Sequence, residues 1–197
     1  IASQLDVDLP VLVGTPIAAE NDRQLPFNGV VLAGSDGGQT RGEGSSRVVA
    51  KKQLLPTYDV FDEQRYFRHA DISSIQPILF QGLKLGLHIC EDAWWGQPDT
   101  FYHNQPVELP DPVKMLAEAG SDLLINISAS PFEIDKREQR HEIIQSHVEQ
   151  YAIPYLFVNQ VGGNDDLVFD GHSFVADRNN QIVLQLPGFQ EDLQFYD

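Results

Sequence analysis

The 197-residue sequence holds a single cysteine, Cys90, which excludes an internal disulfide. Cysteine-rich zinc spacings are absent too, and His69, His88, His103, His141, His147 and His172 are scattered rather than spaced as a ligand set, so no metal is expected. Positive charge is scarce: lysine plus arginine total 13 against 29 aspartate plus glutamate, a formal net charge of −16. Nucleic acid and anionic membrane surfaces both require clustered cations, so neither is expected as a partner. The acidic surplus reads as a solvated outer face. No apolar run approaches the ~20 residues that span a bilayer. The opening Ile-Ala-Ser-Gln-Leu-Asp is neither an initiator methionine nor a basic-then-apolar signal peptide, and it reads as a chain met in mid-domain, a fragment. A reducing, cytoplasmic compartment is the expectation.

What is present suits one globular domain over residues 1–197. The hydrophobic fraction is 42%, with two Trp, six Tyr and eleven Phe, and a chain of this length buries roughly two-thirds of its unfolded surface. Strand and helix signals alternate. Leu9–Thr15 reads as a buried strand closed by Gly14 and Pro16, Asn28–Ala33 as a second, and Arg47–Ala50 as a third, with a glycine- and serine-rich hairpin loop or mobile excursion over Gly34–Ser46. That loop lacks the Gly-Lys-Ser/Thr ending of a phosphate-binding loop. Further strands are predicted at Leu83–Ile89, Leu123–Ile127, Tyr155–Asn159, Leu167–Phe169, Ser173–Ala176 and Ile182–Gln185. Helices are predicted at Pro112–Ala119 and Asp135–Tyr151, the latter with Ile143, Ile144, His147 and Tyr151 on one face. Turns at Gly162–Gly163 and Arg178–Asn180 predict antiparallel hairpins, hence a mixed sheet in a layered α/β fold.

Three blocks carry chemistry. Cys90 follows an apolar strand directly, where a tight turn lifts a side chain over the carboxyl edge of a sheet. A core thiol would not normally be followed by two carboxylates such as Glu91 and Asp92. Those anions disfavour a thiolate, so the site needs a general base, and a cation or other donors for the oxyanion. Lys52 is the candidate cation, opening a proline- and aromatic-rich segment (Pro56, Tyr58, Phe61, Tyr66, Phe67) in which Glu63 can keep it charged. Surface exposure of the Lys51–Lys52 pair is the competing reading. In the third block, Asn126 to Arg137, Ser130 and Lys136 can hold an α-carboxylate. Plain turn chemistry with a solvent-facing lysine is the alternative there. His88 lies two residues from Cys90 on the same predicted strand side, which leaves a Cys–His dyad open.

Lys-x-x-Leu-Pro-x-Tyr at 52–58, Ile-Cys-Glu-Asp-x-Trp at 89–94 and Ser130-Pro-Phe together resemble the nitrilase-type carbon–nitrogen hydrolases. Within them, Leu55 to Phe67, Asn159-Gln-Val-Gly-Gly163 and Leu167-Val-Phe-Asp-Gly171 are similar to the glutaminase domains of glutamine-dependent NAD synthetases. The resemblance implies a nitrilase-like αββα sandwich with mixed sheets, its N-terminal strand or strands missing here. It implies Cys90 as nucleophile, Lys52 as oxyanion-stabilising lysine and Glu63 as supporting glutamate. Tyr58, Ser130 and Lys136 fall on positions that bind glutamine, and Glu91 and Trp94 are taken with them as substrate-binding candidates. The family's general-base glutamate belongs upstream of the Lys52 block, where this sequence has only Glu20 and Glu43, neither in the expected strand-end motif. The base is therefore expected to be absent, and this chain alone to turn over slowly or not at all. The stretch Gly96–Pro112 looks like an insertion.

The implied reaction is hydrolysis of L-glutamine through a cysteinyl thioester, supplying ammonia for amidation of deamido-NAD. That step needs no cofactor; ATP and magnesium belong to a C-terminal synthetase domain, an expected partner within the same polypeptide and absent from this sequence. A homo-oligomer of unstated size is also expected. A stand-alone amidase on another small amide or carbamoyl compound, and a non-catalytic interaction module, are the alternatives.

Overall fold

A computed structural model describes residues 9–21, 23–34, 46–98, 100 and 109–197. Most of the predicted loop over Gly34–Ser46 and much of the predicted insertion Gly96–Pro112 lie outside the described residues, as do Glu43 and His103.

The first strands form a three-stranded antiparallel sheet of β1 (Val11–Ile17), β2 (Phe27–Ala33) and β3 (Ser46–Lys51), with β2 in the middle. The prediction for β1 needs correcting. It runs through Gly14 and Pro16 instead of stopping at them, and it is half-exposed rather than buried. It is an edge strand of this sheet, where a proline's missing N–H removes no ladder bond.

A six-stranded sheet follows. It contains β4 (Ile78–Phe80), β5 (Leu83–Ile89), β6 (Leu123–Ser128) and β7 (Tyr155–Asn159). Beyond a separate hairpin of β8 (Val161–Asn164) and β9 (Leu167–Asp170), it adds β10 (Phe174–Ala176) and β11 (Ile182–Gln185). Strands β5, β6 and β7 are parallel, and the flanking pairs are antiparallel, so the sheet is mixed. The turn near Arg178–Asn180 joins β10 to β11 antiparallel. Gly162 and Gly163, predicted as a turn, instead lie inside β8. The chain reverses two residues later, where Asp165 takes a φ of 50°; aspartate tolerates that left-handed geometry and the following strand keeps its register.

Alternation along β5 divides the core in two. Leu85, Leu87 and Ile89 face the other sheet and pack with Val30, Leu32 and Val49. The intervening positions face α2 (Pro112–Glu118) and α3 (Lys136–Tyr151), whose Val113, Leu116, Ile143, Ile144 and Val148 pack on Leu124, Tyr155 and Phe157. Each such side chain, fully buried, contributes about 1.5–3 kcal/mol. Gly86 is required by this packing, since a Cβ there would lie 2.5 Å from Ser121 Oγ and 2.8 Å from Leu124 Cδ2. Helix α2 is capped by Asp111, whose carboxylate accepts from Lys114 N at 3.0 Å, with Pro112 in the first turn. The layers are thus helix, sheet, sheet. Between the sheets, the carboxyl ends of the three parallel strands deliver Cys90, the Ser128–Pro131 turn and Asn159 to one place.

Candidate active site

Cys90 takes a φ of 45° as the strand ends. That left-handed conformation costs an ordinary residue about 1–2 kcal/mol, and the surroundings hold it in place. Asn126 Nδ2 donates to Cys90 O at 3.2 Å, Trp94 N donates to Glu91 O at 2.9 Å, and His147 Nε2 bonds Ala93 O at 2.7 Å. The reversal turns the Cys90 side chain out of the strand's alternation. The thiol is half-buried rather than sealed in apolar packing.

Lys52 leaves β3 with its amide donating to Asn28 O at 2.7 Å and is 1% exposed, so the surface reading of this lysine fails. Its Nζ lies 2.6 Å from Glu63 Oε1. Glu63 is held by a one-turn helix, α1 (Glu63–Tyr66), and by its amide donating to Pro56 O at 2.9 Å. The segment between is ordered as expected, with Leu54 and Leu55 buried and Tyr58 edge-on to Phe61. Tyr66 is not part of that apolar wall, being 58% exposed.

Asp92 joins the two segments. Its Oδ1 accepts from the amides of Gln53 and Leu54 at 3.0 and 2.8 Å, and its Oδ2 accepts from that of Ile89 at 3.0 Å. One buried carboxylate therefore ties the residues just after Lys52 to the residue just before Cys90.

The electrostatics follow from burial. Desolvation pushes the Cys90 thiol up; Lys52 and a hydrogen bond with Ser128 pull it back, while Glu91 and Glu63 oppose them, and the net is a raised pKa. The thiol therefore rests protonated at neutral pH and needs a base. Burial works against the Lys52 charge, but the negative charge of an ionised Cys90, of Glu63 and of Asp92 more than offsets it, and the ammonium is held above the ordinary lysine value. With the thiol protonated, Glu63 and Asp92 are its resting counter-ions. Glu91 is raised by burial, moderated by a short hydrogen bond from Tyr58 Oη. Asp92 is raised by burial to about 6 despite its backbone donors.

Cys90 borders two cavities. One, of about 490 Å³, is also lined by Lys52, Glu63, Gly14, Ser128, Asn159 and Gln160. The other, about 40 Å³, is lined by Tyr58, Glu91, Trp94, Ser130, Glu133 and Lys136 among others. There the Lys136 ammonium sits 4.5 Å from the Trp94 ring centroid and 3.4 Å from Glu133 Oε2.

The structure thus brings eight of the residues singled out in the sequence together: Cys90, Lys52 and Glu63 around one cleft, and Tyr58, Glu91, Trp94, Ser130 and Lys136 around the smaller pocket beside the same sulfur. Arg137 is half-exposed and pairs with the neighbouring Glu138. The Cys–His dyad fails. His88 is buried, with its Nε2 in a short hydrogen bond to Tyr155 Oη, and lies edge-on to that ring, which stacks on His147 of α3. Because Cys90 has left the strand geometry, the two side chains no longer share a face; burial also pushes the His88 imidazole down to about 3. Glu20 lies exposed, three residues past β1. Among the described residues, no group of three or more His, Cys, Asp or Glu is placed to hold a metal, and no helix is long and apolar enough to cross a membrane.

Sequence reasoning missed Asp92, Ser128, Arg140, Asn159 and Asp170. Arg140 carried a signal, since it continues the buried stripe of Ile143, Ile144 and His147 at helical spacing, and a charge there implies a buried partner.

The carbon–nitrogen hydrolase family profile matches residues 7–197. A glutamine-dependent NAD(+) synthetase of Synechocystis sp. is 36% identical over 98% of this chain and 33% of its own length. One from Aquifex aeolicus is 34% identical over 74% of this chain and 23% of its own. The chain therefore spans a third or less of the length of these curated relatives. Among solved structures, the glutamine-dependent NAD+ synthetase of Acinetobacter baumannii, in complex with ADP, superposes with a TM-score of 0.72 at 31% identity, over 94% of this chain and 30% of that one. A carbon–nitrogen hydrolase from Helicobacter pylori G27 shares the fold with a TM-score of 0.72 at 22% identity, over 96% of this chain and 61% of that one.

Proposed function

The chain belongs to the carbon–nitrogen hydrolase family, and from that premise we propose that it forms the glutaminase part of a glutamine-dependent NAD synthetase, with Cys90 as nucleophile. The observation that carries the reading is the meeting of a buried, charged lysine and the only thiol at one cleft, Lys52 held by Glu63 and Cys90 held by its strained turn. The small pocket beside the sulfur supports an amino-acid substrate, for it offers both anionic groups (Glu91, Glu133) and a cation (Lys136).

A general base takes the Cys90 proton; the resemblance places this glutamate upstream of Lys52. The thiolate sulfur attacks the side-chain amide carbon of L-glutamine, and the carbonyl electrons move to oxygen. Lys52 and a backbone N–H near Glu91 hold that oxyanion. Collapse expels ammonia, which leaves with the proton from the base, and a γ-glutamyl thioester remains. Water, deprotonated by the same base, attacks the thioester; the sulfur leaves and L-glutamate is released. In the whole protein the ammonia passes to a synthetase part that uses ATP and magnesium to amidate deamido-NAD.

Mass spectrometry of the whole enzyme, upstream base included, quenched during turnover tests this directly. A glutamyl adduct on Cys90 that vanishes in Cys90→Ser is expected. An adduct formed equally well from simple aliphatic amides would replace glutamine by a broader amide class, and no adduct from any amide would end the hydrolase reading.

A further inference from the structure

Arg140 is 2% exposed, on the apolar face of α3, and all its nitrogens are engaged. Nη1 donates to both Asp170 oxygens at 2.9 Å, and Nη2 to the carbonyls of Ser130 and Pro131 at 3.0 and 2.9 Å. Nε donates to Ser130 Oγ at 3.1 Å. A guanidinium carries donors and no acceptor. The Ser130 hydroxyl must therefore accept from Arg140, and its one hydrogen is left to donate elsewhere. Its backbone is fixed as well: Ser130 N donates to Asn159 Oδ1 at 2.8 Å, and Asn159 Nδ2 donates to Ser130 O at 3.2 Å. Among the described residues no acceptor takes the Ser130 hydroxyl hydrogen, while Ser130 lines the 40 Å³ pocket together with Lys136.

We propose that Arg140 is a positioning residue that fixes Ser130 as an obligate hydrogen-bond donor into this pocket, so that with Lys136 it selects a substrate carboxylate over the corresponding carboxamide. A carboxamide can offer an oxygen to the hydroxyl, but its N–H groups then meet the Lys136 ammonium, which cannot accept them. A carboxylate satisfies both. The inference rests on the glutaminase reading only for the identity of the amino acid; the polarity of the subsite follows from Arg140, Ser130 and Lys136.

The test measures protection of Cys90 from alkylation by iodoacetamide, using a panel of L-amino acids, glutamine included, and their α-carboxamides. The wild type is expected to prefer the carboxylates about tenfold or more, the worth of one charge-assisted bond. Arg140→Lys keeps a cation for Asp170 but loses the planar fork. In it and in Ser130→Ala the preference, each variant referred to its own uninhibited iodoacetamide rate, should fall to within about threefold. The double variant should be no worse than Ser130→Ala, because both changes remove one interaction. Asp170→Asn, which keeps the guanidinium, should lose part of the preference and serves if Arg140→Lys does not fold. Additive losses, equal loss for acids and amides, or a panel in which no acid outperforms its amide would overturn the proposal. If glutamine protects no better than other amino acids while the preference behaves as stated, the glutaminase reading falls and this inference stands.

Discussion

Among the described residues, Lys52–Glu63 and Arg140–Asp170 are ion pairs with a buried cation, and they are built on opposite plans. In Arg140–Asp170 both side chains are 2% exposed, the contact is bidentate, and the remaining guanidinium donors end on protein oxygens. Nothing is left to bind. In Lys52–Glu63 the carboxylate is 20% exposed, the contact is a single one, and Glu63 Oε2 is buried without a hydrogen-bond partner among the described residues. The lysine borders a cleft of about 490 Å³. A satisfied pair holds backbone in place; an unsatisfied pair keeps capacity for a charge that appears only during reaction. Geometry around the ions, more than burial itself, separates scaffold from chemistry.

That contrast can be broken first at the scaffold. Arg140→Met should destabilise the fold by about 3–5 kcal/mol, read by denaturant unfolding, because Asp170 is stranded without its partner. A loss below about 1 kcal/mol would make the two pairs equivalent. Lys52→Met should lower glutamine-dependent ammonia release by the whole enzyme about 100- to 1,000-fold, the usual cost of one oxyanion donor. It should also move the midpoint of Cys90 alkylation to higher pH, since Lys52 is what pulls the thiol back.

Asp92 sharpens the comparison through pH. Its folded-state pKa of about 6 stands above the ordinary 3.8. Between those values the native state holds a proton that the unfolded state has lost, so the contribution to stability falls as pH rises through the window. The stability of the wild type relative to Asp92→Asn should therefore decline between pH ~4 and ~6, by up to about 3 kcal/mol. A flat difference would mean that Asp92 stays ionised throughout. Glu63→Gln should be milder. Its stability should stay within about 1 kcal/mol of wild type, as for a partly exposed pair, and turnover should drop roughly tenfold, equivalent to about 1.4 kcal/mol of barrier.

Apolar runs and apolar residues at helical spacing were legible in the sequence: Leu83–Ile89 and Tyr155–Asn159 run as predicted, and α3 begins one residue late. The strand β4 is three residues long, too short to show alternation, and β8 carries two glycines that read as a turn. At the site, Cys90, Lys52 and Glu63 could be found because their chemistry demands particular residue types at particular spacings. Asp92 could not, because its work is to accept backbone amides from a segment almost forty positions away, and its neighbour in sequence made it look only like an unhelpful anion. Asn159 and Asp170 stand in motifs that carried the resemblance, but their contacts on Ser130 and Arg140 are long-range and no local pattern records them.

The backward twist of the chain at Cys90 has a last implication, for which residues can stand there at all. Branched side chains are excluded by the φ of 45° whatever their polarity, while glycine enters that region freely. Cys90→Gly should therefore melt at a temperature no lower than wild type, while losing all thiol chemistry. The working form of this protein is then not its most comfortable one, and selection for heat tolerance alone would drift toward an inert enzyme.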